Sequence, residues 1–292
     1  MNLRTLAAIA LMVLMPAANA CINSVGTDVT GRRFQPGWEV GKDMAKGLME
    51  RSQGPSPYWV KLTLEDARKE PDFKSLTNIG VLLIYQGQYT IAVQHFLKVE
   101  RIFPGHHETA ANLGTALELS GHDAVALRWI RLGVERDPDE HYRSEWLHER
   151  ILEAKIALAK DPDYLKDRSV VGIAFEPKLA PPLPTSMPAG NDGKPVEPWV
   201  LNWSLHYQLH ERTRFVKPRD PIVANLMRDW ATLNLAGGPI EDADALYDLA
   251  VLYGAERDAL MKDRQRHIRQ ILSKGGEKEP DDYRCKICQP AP

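Results

Sequence analysis

Two pairs of residues in this 292-residue chain have a spacing that could carry chemistry. Cys285 and Cys288 are separated by two residues, as in thiol–disulfide redox motifs and in half of a zinc site. A redox pair needs a preceding strand and a following helix, whereas acidic residues and prolines flank this pair, and zinc needs four ligands. We therefore expect a local disulfide in a polar tail, residues 274–292. A redox or metal-handling protein remains an alternative.

The second pair is His206 and His210, which are four residues apart and could face one metal ion from a helix. No third ligand stands close to them in the sequence. The chain also has no glycine-rich phosphate loop, no nucleophile elbow and no His-Glu-x-x-His segment. The sequence thus predicts a protein that is not an enzyme, with no catalytic residue, no metal site and no cofactor.

The elements around these residues are organised by a repeat between residues 74 and 138. Six residues recur at an offset of 34, namely Asn78/Asn112, Gly80/Gly114, Leu83/Leu117, Gly87/Gly121, Ala92/Ala126 and Pro104/Pro138. A fixed period of this length is typical of a solenoid. Apolar residues at helical spacing predict two helices per unit, joined by a glycine turn and closed by proline. The small residues mark the place where the paired helices cross closely.

The two units resemble tetratricopeptide repeats, with Asp123 and Ile130 departing from the usual aromatic residues. The resemblance covers about a quarter of the chain. It implies a right-handed stack of helix pairs whose first helices line a concave groove for a peptide or a partner protein. In this family the asparagine before the apolar–glycine pair often faces the groove, which here indicates Asn78 and Asn112.

The candidate partner-binding residues share the two helix faces that carry these asparagines. They are Lys74, Asn78, Val81, Tyr85, Glu108, Asn112, Thr115 and Leu119. An alternative is that the two asparagines only tie one helix to its neighbour, because buried polar groups need partners in either case.

Residues 1–20 have the pattern of a signal peptide, with Arg4, an apolar run over 6–15 and a small-residue cleavage site at 18–20. Ten apolar residues are too few to span a bilayer, which needs about 20. We expect export from a bacterial cytoplasm. Cys21 follows the cleavage site directly and is a candidate for lipidation, so that both a free periplasmic form and a lipid-anchored form stay open.

Composition excludes several classes of partner. The net charge is −2 and no run of like charge stands out, so neither nucleic acid nor an anionic membrane surface is indicated. We expect contact with a membrane only if Cys21 is lipidated. The hydrophobic content of 43% is ordinary for a globular protein.

The remaining chain divides by proline, glycine and helical periodicity. Residues 21–70 are expected to be irregular apart from one short helix near Asp43 and a helix start at Thr63. Trp38, Tyr58 and Trp59 are expected to cover the first face of the solenoid. Residues 71–160 hold the two repeats and a polar-faced capping helix. Residues 176–198 are a proline-rich linker or surface excursion, and residues 199–273 are a second helical region like a degenerate repeat.

The predicted fold is all-α: a solenoid of helix-turn-helix repeats with a second α-helical region and an irregular N-terminal segment. The predicted function is a non-enzymatic scaffold of the cell envelope that holds a protein or peptide in the repeat groove. A second interpretation is redox or metal handling through Cys285 and Cys288. A third is an accessory subunit that binds its complex through residues 199–273.

Overall fold

The computed structural model describes residues 24–50, 54–275, 277–278 and 283–289. The protein is all-α, with 62% helix and 3% strand. The expected signal peptide and Cys21 lie outside the described residues. Within the described part of the chain, no helix combines the length and the apolar character needed to cross a bilayer.

Twelve helices follow one another in the described chain, and each packs against its neighbours. They are α1 (Lys42–Glu50), α2 (Pro57–Lys69), α3 (Phe73–Tyr85), α4 (Tyr89–Ile102), α5 (His107–Leu119), α6 (Asp123–Arg136), α7 (Glu140–Arg143), α8 (Glu145–Leu158), α9 (Pro198–Phe215), α10 (Pro221–Gly237), α11 (Ile240–Tyr253) and α12 (Ala259–Ser273).

A small sheet joins the two ends of the described chain. Strand β1 (Gly26–Thr27) pairs antiparallel with β2 (Arg32–Phe34), with Gly26 opposite Phe34. Strand β2 pairs in parallel with β3 (Glu277–Lys278). The polar tail that was expected after residue 274 is therefore attached to the N-terminal segment.

Helices α3 to α6 form two helix pairs with the period expected from the sequence. The first helices start 34 residues apart (107 − 73), and so do the second helices (123 − 89). Asp72 begins the first pair, since its side chain accepts a hydrogen bond from the Ser75 amide at 2.8 Å. A Cβ atom at Gly114 would lie 2.5 Å from Ile130 Cδ1, so the paired helices cross where the sequence predicts small residues.

The N-terminal segment is more helical than expected, because it contains both α1 and α2. The predicted helix start at Thr63 is wrong: Thr63 is buried inside α2, which begins at Pro57 after the Ser56 cap. Proline in the first turn behind a serine cap was the stronger start signal. The expectation for Trp38 is also wrong, because its Nε1 donates to Asp242 Oδ2 at 3.0 Å, in the second helical region.

The chain between α8 and α9 is a surface excursion that packs on α10. Val170, Val171 and Ile173 are buried there. The Val170 amide donates to Asn225 Oδ1 at 2.9 Å, and Ser169 Oγ donates to Asp229 Oδ2 at 2.6 Å. These contacts fix the segment on the helical layer.

Helix α8 connects the two hydrophobic cores. Leu152 belongs to the core of α3–α6, whereas Trp146, Leu147 and Ile151 belong to the core built around α10 and α11. The prediction that α8 is a polar-faced cap is wrong, since Glu145 and His148 are also buried. The second helical region covers the face that a terminal cap would expose to water.

Candidate functional site

A cleft of about 140 Å³ lies between the first helices of the repeated pairs and α9. It is lined by Val81, Ile84, Tyr85, Asn112, Thr115, Glu118, Leu119, His141, Glu145, His148, Tyr207, Gln208, Glu211, Arg212, Phe215 and Val216. Its volume is comparable to that of an engineered cavity of about 150 Å³ that accepts benzene. The enclosed part of the cleft can therefore take one side chain or a small ring.

Five of the predicted groove residues line this cleft together. They are Val81, Tyr85, Asn112, Thr115 and Leu119. Lys74, Asn78 and Glu108 do not line it; Lys74 is exposed, and the other two are partly buried. The two equivalent asparagines thus differ, because only Asn112 faces the cleft.

The polar groove residues of α5 bond to their own helix. Asn112 Nδ2 donates to the Glu108 carbonyl at 2.8 Å, and Thr115 Oγ1 donates to the Ala111 carbonyl at 3.1 Å. In the described part of the chain, neither side chain ties α5 to a neighbouring helix. Asn112 Oδ1 remains as an acceptor that a ligand could use.

Helix α9 lies across the groove and occupies part of it. The Tyr85 hydroxyl accepts a hydrogen bond from Arg214 Nη1, and the Tyr85 ring lies 5.6 Å from the Phe215 ring. The resemblance to a repeat groove implied an open concave face. The structure instead closes one side of that face with residues more than 100 positions later in the chain.

The floor of the cleft is a buried network of charges centred on Glu118. Its two oxygens accept hydrogen bonds from Arg212 at 2.6 and 3.2 Å, from His148 Nε2 at 2.8 Å and from Lys155 at 3.1 Å. Burial raises the pKa of Glu118, but the charge of Arg212 and the bond from His148 outweigh it, so that the pKa lies well below its ordinary value. The carboxylate is charged and compensated.

A second carboxylate, Glu145, balances the histidines of the network. His141 Nδ1 lies 2.8 Å from Glu145 Oε1, and His148 Nδ1 lies 3.4 Å from Glu145 Oε2. Burial lowers the pKa of His148, but hydrogen bonds to Glu118 and Glu145 outweigh it and raise the pKa to about 9. His148 is therefore an imidazolium cation at neutral pH, between two carboxylates.

Three of the four residues of α7 have a left-handed backbone conformation, and this turn brings His141 to the rim of the cleft. His141, Tyr142 and Arg143 have φ values of 51°, 57° and 62°, which non-glycine residues rarely adopt. Each such residue costs on the order of 1–3 kcal/mol, and such strain is concentrated at functional sites. Aromatic contacts hold the turn, because His141 stacks on Tyr207 at 5.1 Å and Tyr142 stacks on Trp203 at 6.0 Å.

A second cleft of about 500 Å³ lies on the other side of α9. It shares Tyr207 and Glu211 with the first, and its further walls include Trp38, Tyr142 and Trp203. Trp38 and Trp203 meet edge to face at 6.4 Å. The two clefts therefore meet at Tyr207 and Glu211, and the second has aromatic walls.

Sequence reasoning missed most of this site because its residues come from distant elements. Glu118 and Arg212 are 94 positions apart, and neither belongs to a motif. One signal was present: the residue 34 positions before Glu118 is Ile84, so a charged residue replaces an apolar one in the second unit. His148 gave a similar signal, since it stands 34 positions after Gly114.

The two pairs that could carry chemistry lie outside the first cleft. Cys285 and Cys288 form a disulfide and are almost completely buried, and Ile287 packs against Gly238 of the α10–α11 turn. The burial of both cysteines does not favour the redox interpretation, because thiol–disulfide exchange requires that an attacking thiolate can reach the disulfide. His206 and His210 stack at 5.9 Å, and no described residue joins them as a third metal ligand.

Comparison with known proteins adds no relative to these observations. The chain matches no family model, no curated protein and no solved structure.

Proposed function

We propose that the protein is a non-enzymatic interaction protein of the tetratricopeptide type that holds a segment of a partner protein in the cleft between α3, α5 and α9. The period of 34 residues between the helix pairs supports the repeat assignment. The observation that carries the binding role is the convergence of five groove candidates on one cleft, to which Tyr85, Tyr207 and Phe215 contribute aromatic rings.

The chemistry of the cleft suits a peptide segment with an apolar or aromatic side chain. Val81, Leu119 and Phe215 offer apolar contact, and Tyr207 and Gln208 offer polar groups nearby. Aromatic residues surrounded by polar groups are typical of the residues that dominate binding energy at protein interfaces. The charges on the floor are paired with one another, so the cleft does not select a strongly charged ligand.

We also propose that the protein works in the bacterial cell envelope after export. This part rests on the signal-peptide pattern of residues 1–20 and on the cysteine that follows it. Whether Cys21 carries a lipid decides between an anchored and a free form.

The experiment starts with site-specific photo-cross-linking in the native cell envelope. A photoreactive residue at Leu119 should cross-link one partner, whereas the same residue at Val125, exposed on α6, should not. The partner is then purified, and its affinity is measured for the wild type and for two variants at equivalent repeat positions.

The matched pair is Asn112→Arg and Asn78→Arg. We expect Asn112→Arg to weaken binding at least tenfold, because the longer cation fills the cleft, and Asn78→Arg to bind like the wild type. Circular dichroism must show that both variants are folded. Full binding by a folded Asn112→Arg variant would refute the proposal.

A second candidate is an accessory subunit that binds through residues 199–273. The second cleft favours it, since Trp203 and His206 of α9 belong to its wall. Trp203→Ala would then abolish partner binding while Asn112→Arg leaves it intact.

A further inference from the structure

A cluster of metal-ligating side chains lies outside both clefts, at the N-terminal end of α5. His107 is the first residue of α5, Asp137 directly follows α6, and Glu140 is the first residue of α7. One ligand atom from each of the three residues lies within 4.8 Å of those of the other two. The start of α5 and the chain between α6 and α7 thus bring their ligand atoms together.

The charges of this cluster are unbalanced. His107 Nε2 lies 3.7 Å from Asp137 Oδ2 and 3.3 Å from Glu108 Oε2, while His107 Nδ1 lies 3.2 Å from Glu140 Oε2. Three carboxylates therefore surround one imidazole. Within the described chain only histidines form ion pairs with them, with no lysine or arginine. Like charges this close repel one another unless a cation is present.

Two atoms of the cluster also lack hydrogen bonds. His107 Nδ1 and Glu108 Oε2 are buried, and neither has a hydrogen-bonding partner among the described residues. Buried polar atoms in folded proteins are normally satisfied by the protein, by water or by an ion. Each of the two atoms lies within 3.3 Å of another side chain of the cluster without the geometry of a hydrogen bond, so each can still coordinate a further group.

We propose that His107, Asp137 and Glu140 bind one divalent transition-metal ion of the zinc class, with Glu108 as the neighbouring carboxylate. One imidazole nitrogen with carboxylate oxygens is a ligand set that suits Zn²⁺. Calcium takes six to eight oxygen ligands and magnesium near-ideal octahedral geometry, which suits this set less well.

The proposed ion would connect the repeats to the strained turn at the rim. Glu140 directly precedes His141, whose left-handed conformation places its ring in the first cleft. A metal bridge between α5, the end of α6 and Glu140 would fix the start of that turn. The metal site does not depend on the proposed partner binding, and either can fail without the other.

The test is Zn²⁺ titration of the full, tag-free chain by calorimetry, with the disulfide intact. We expect one Zn²⁺ per wild-type chain, loss of saturable binding in His107→Ala and at least tenfold weaker binding in Asp137→Asn. The matched control is Asp139→Asn, two residues further on, where the carboxylate is exposed and pairs with Arg143. A double His206→Ala, His210→Ala variant should also bind like the wild type.

A second readout is thermal unfolding. Zn²⁺ should raise the unfolding midpoint of the wild type and of Asp139→Asn, and should not raise that of His107→Ala, because only a bound ligand stabilises the folded state. If His107→Ala does not fold, Asp137→Asn and Glu140→Gln provide the same comparison. Absence of saturable binding in the wild type, or full affinity in the folded variants, would overturn the proposal.

Discussion

Glu118 and its partners at the floor of the cleft show how single residues acquire a role through burial. Glu118 stands between two leucines on α5, where the first repeat unit has an isoleucine. Alone it would be a costly buried charge. Arg212 and His148 compensate it with hydrogen bonds of 2.6 and 2.8 Å. The network therefore positions α8 and α9 against the repeated helices, because any displacement separates buried charges.

The protonation of His148 predicts a pH dependence of stability. Its pKa is raised to about 9 in the folded protein, from an ordinary value of 6.5, because it contacts Glu118 and Glu145. The stabilisation is complete below pH 6.5 and is lost as the pH rises through 9. We expect the unfolding free energy to fall by roughly 1–3 kcal/mol between pH 7 and pH 9.

Urea unfolding of the wild type and of His148→Gln at several pH values checks this expectation. The glutamine variant should show a flatter slope over the same range, and the exposed His122→Gln control should keep the wild-type slope. If the unfolding free energy changed equally with pH in His148→Gln and in the wild type, a group other than His148 would cause the pH dependence.

At the scale of helices, the close crossing of α5 and α6 depends on Gly114. A Cβ atom there would meet Ile130 Cδ1 at 2.5 Å and Cγ1 at 2.8 Å. Real side chains do not approach so closely, so a larger residue must push the helices apart or force Ile130 into another rotamer. The same argument applies to Gly80 beside Phe96 in the first pair.

Gly114→Leu should therefore destabilise the protein by about 1–3 kcal/mol through overpacking. Thermal melts followed by circular dichroism measure this effect. Ala124→Leu places the same side chain at an exposed position of α6 and serves as the control. An unchanged melt of Gly114→Leu would contradict the helix crossing.

At the scale of the whole molecule, the repeats and the second helical region are tied together rather than linked loosely. Leu152 of α8 packs in the core of α3–α6, while its neighbour Ile151 packs in the other core. Arg212 of α9 reaches Glu118 of α5, and the Thr213 hydroxyl donates to the Leu48 carbonyl of α1 at 3.0 Å. Loss of one contact made by α9 should therefore also destabilise the repeated helix pairs.

Hydrogen exchange can measure this coupling. Arg212→Met leaves Glu118 buried without its guanidinium partner, and such broken pairs cost about 3–5 kcal/mol. We expect faster amide exchange in α5 and α8 as well as in α9. Arg266→Met, at an exposed arginine of α12, should leave the exchange of α5 unchanged. An increase in amide exchange that is confined to α9 would mean that the two regions unfold independently.

The sequence by itself determined the all-α class, the two helix pairs, their period and the glycines at their crossings. These features follow from apolar residues three to four positions apart and from a repeat of 34 residues. Both patterns act between residues that are close in the sequence, so they favour the same helices whatever the rest of the chain does.

Only the tertiary structure decided which groove residues form a site. Asn78 and Asn112 have equal sequence contexts, yet α9 meets the groove beside Asn112 alone. Trp38 contacts Asp242 across 204 positions, and Glu118 contacts Arg212 across 94. Contacts this distant leave no periodic pattern, since they depend on how complete helices pack and not on neighbouring residues. The cleft, its buried charges and the cluster of His107, Asp137 and Glu140 therefore exist only once the chain is folded.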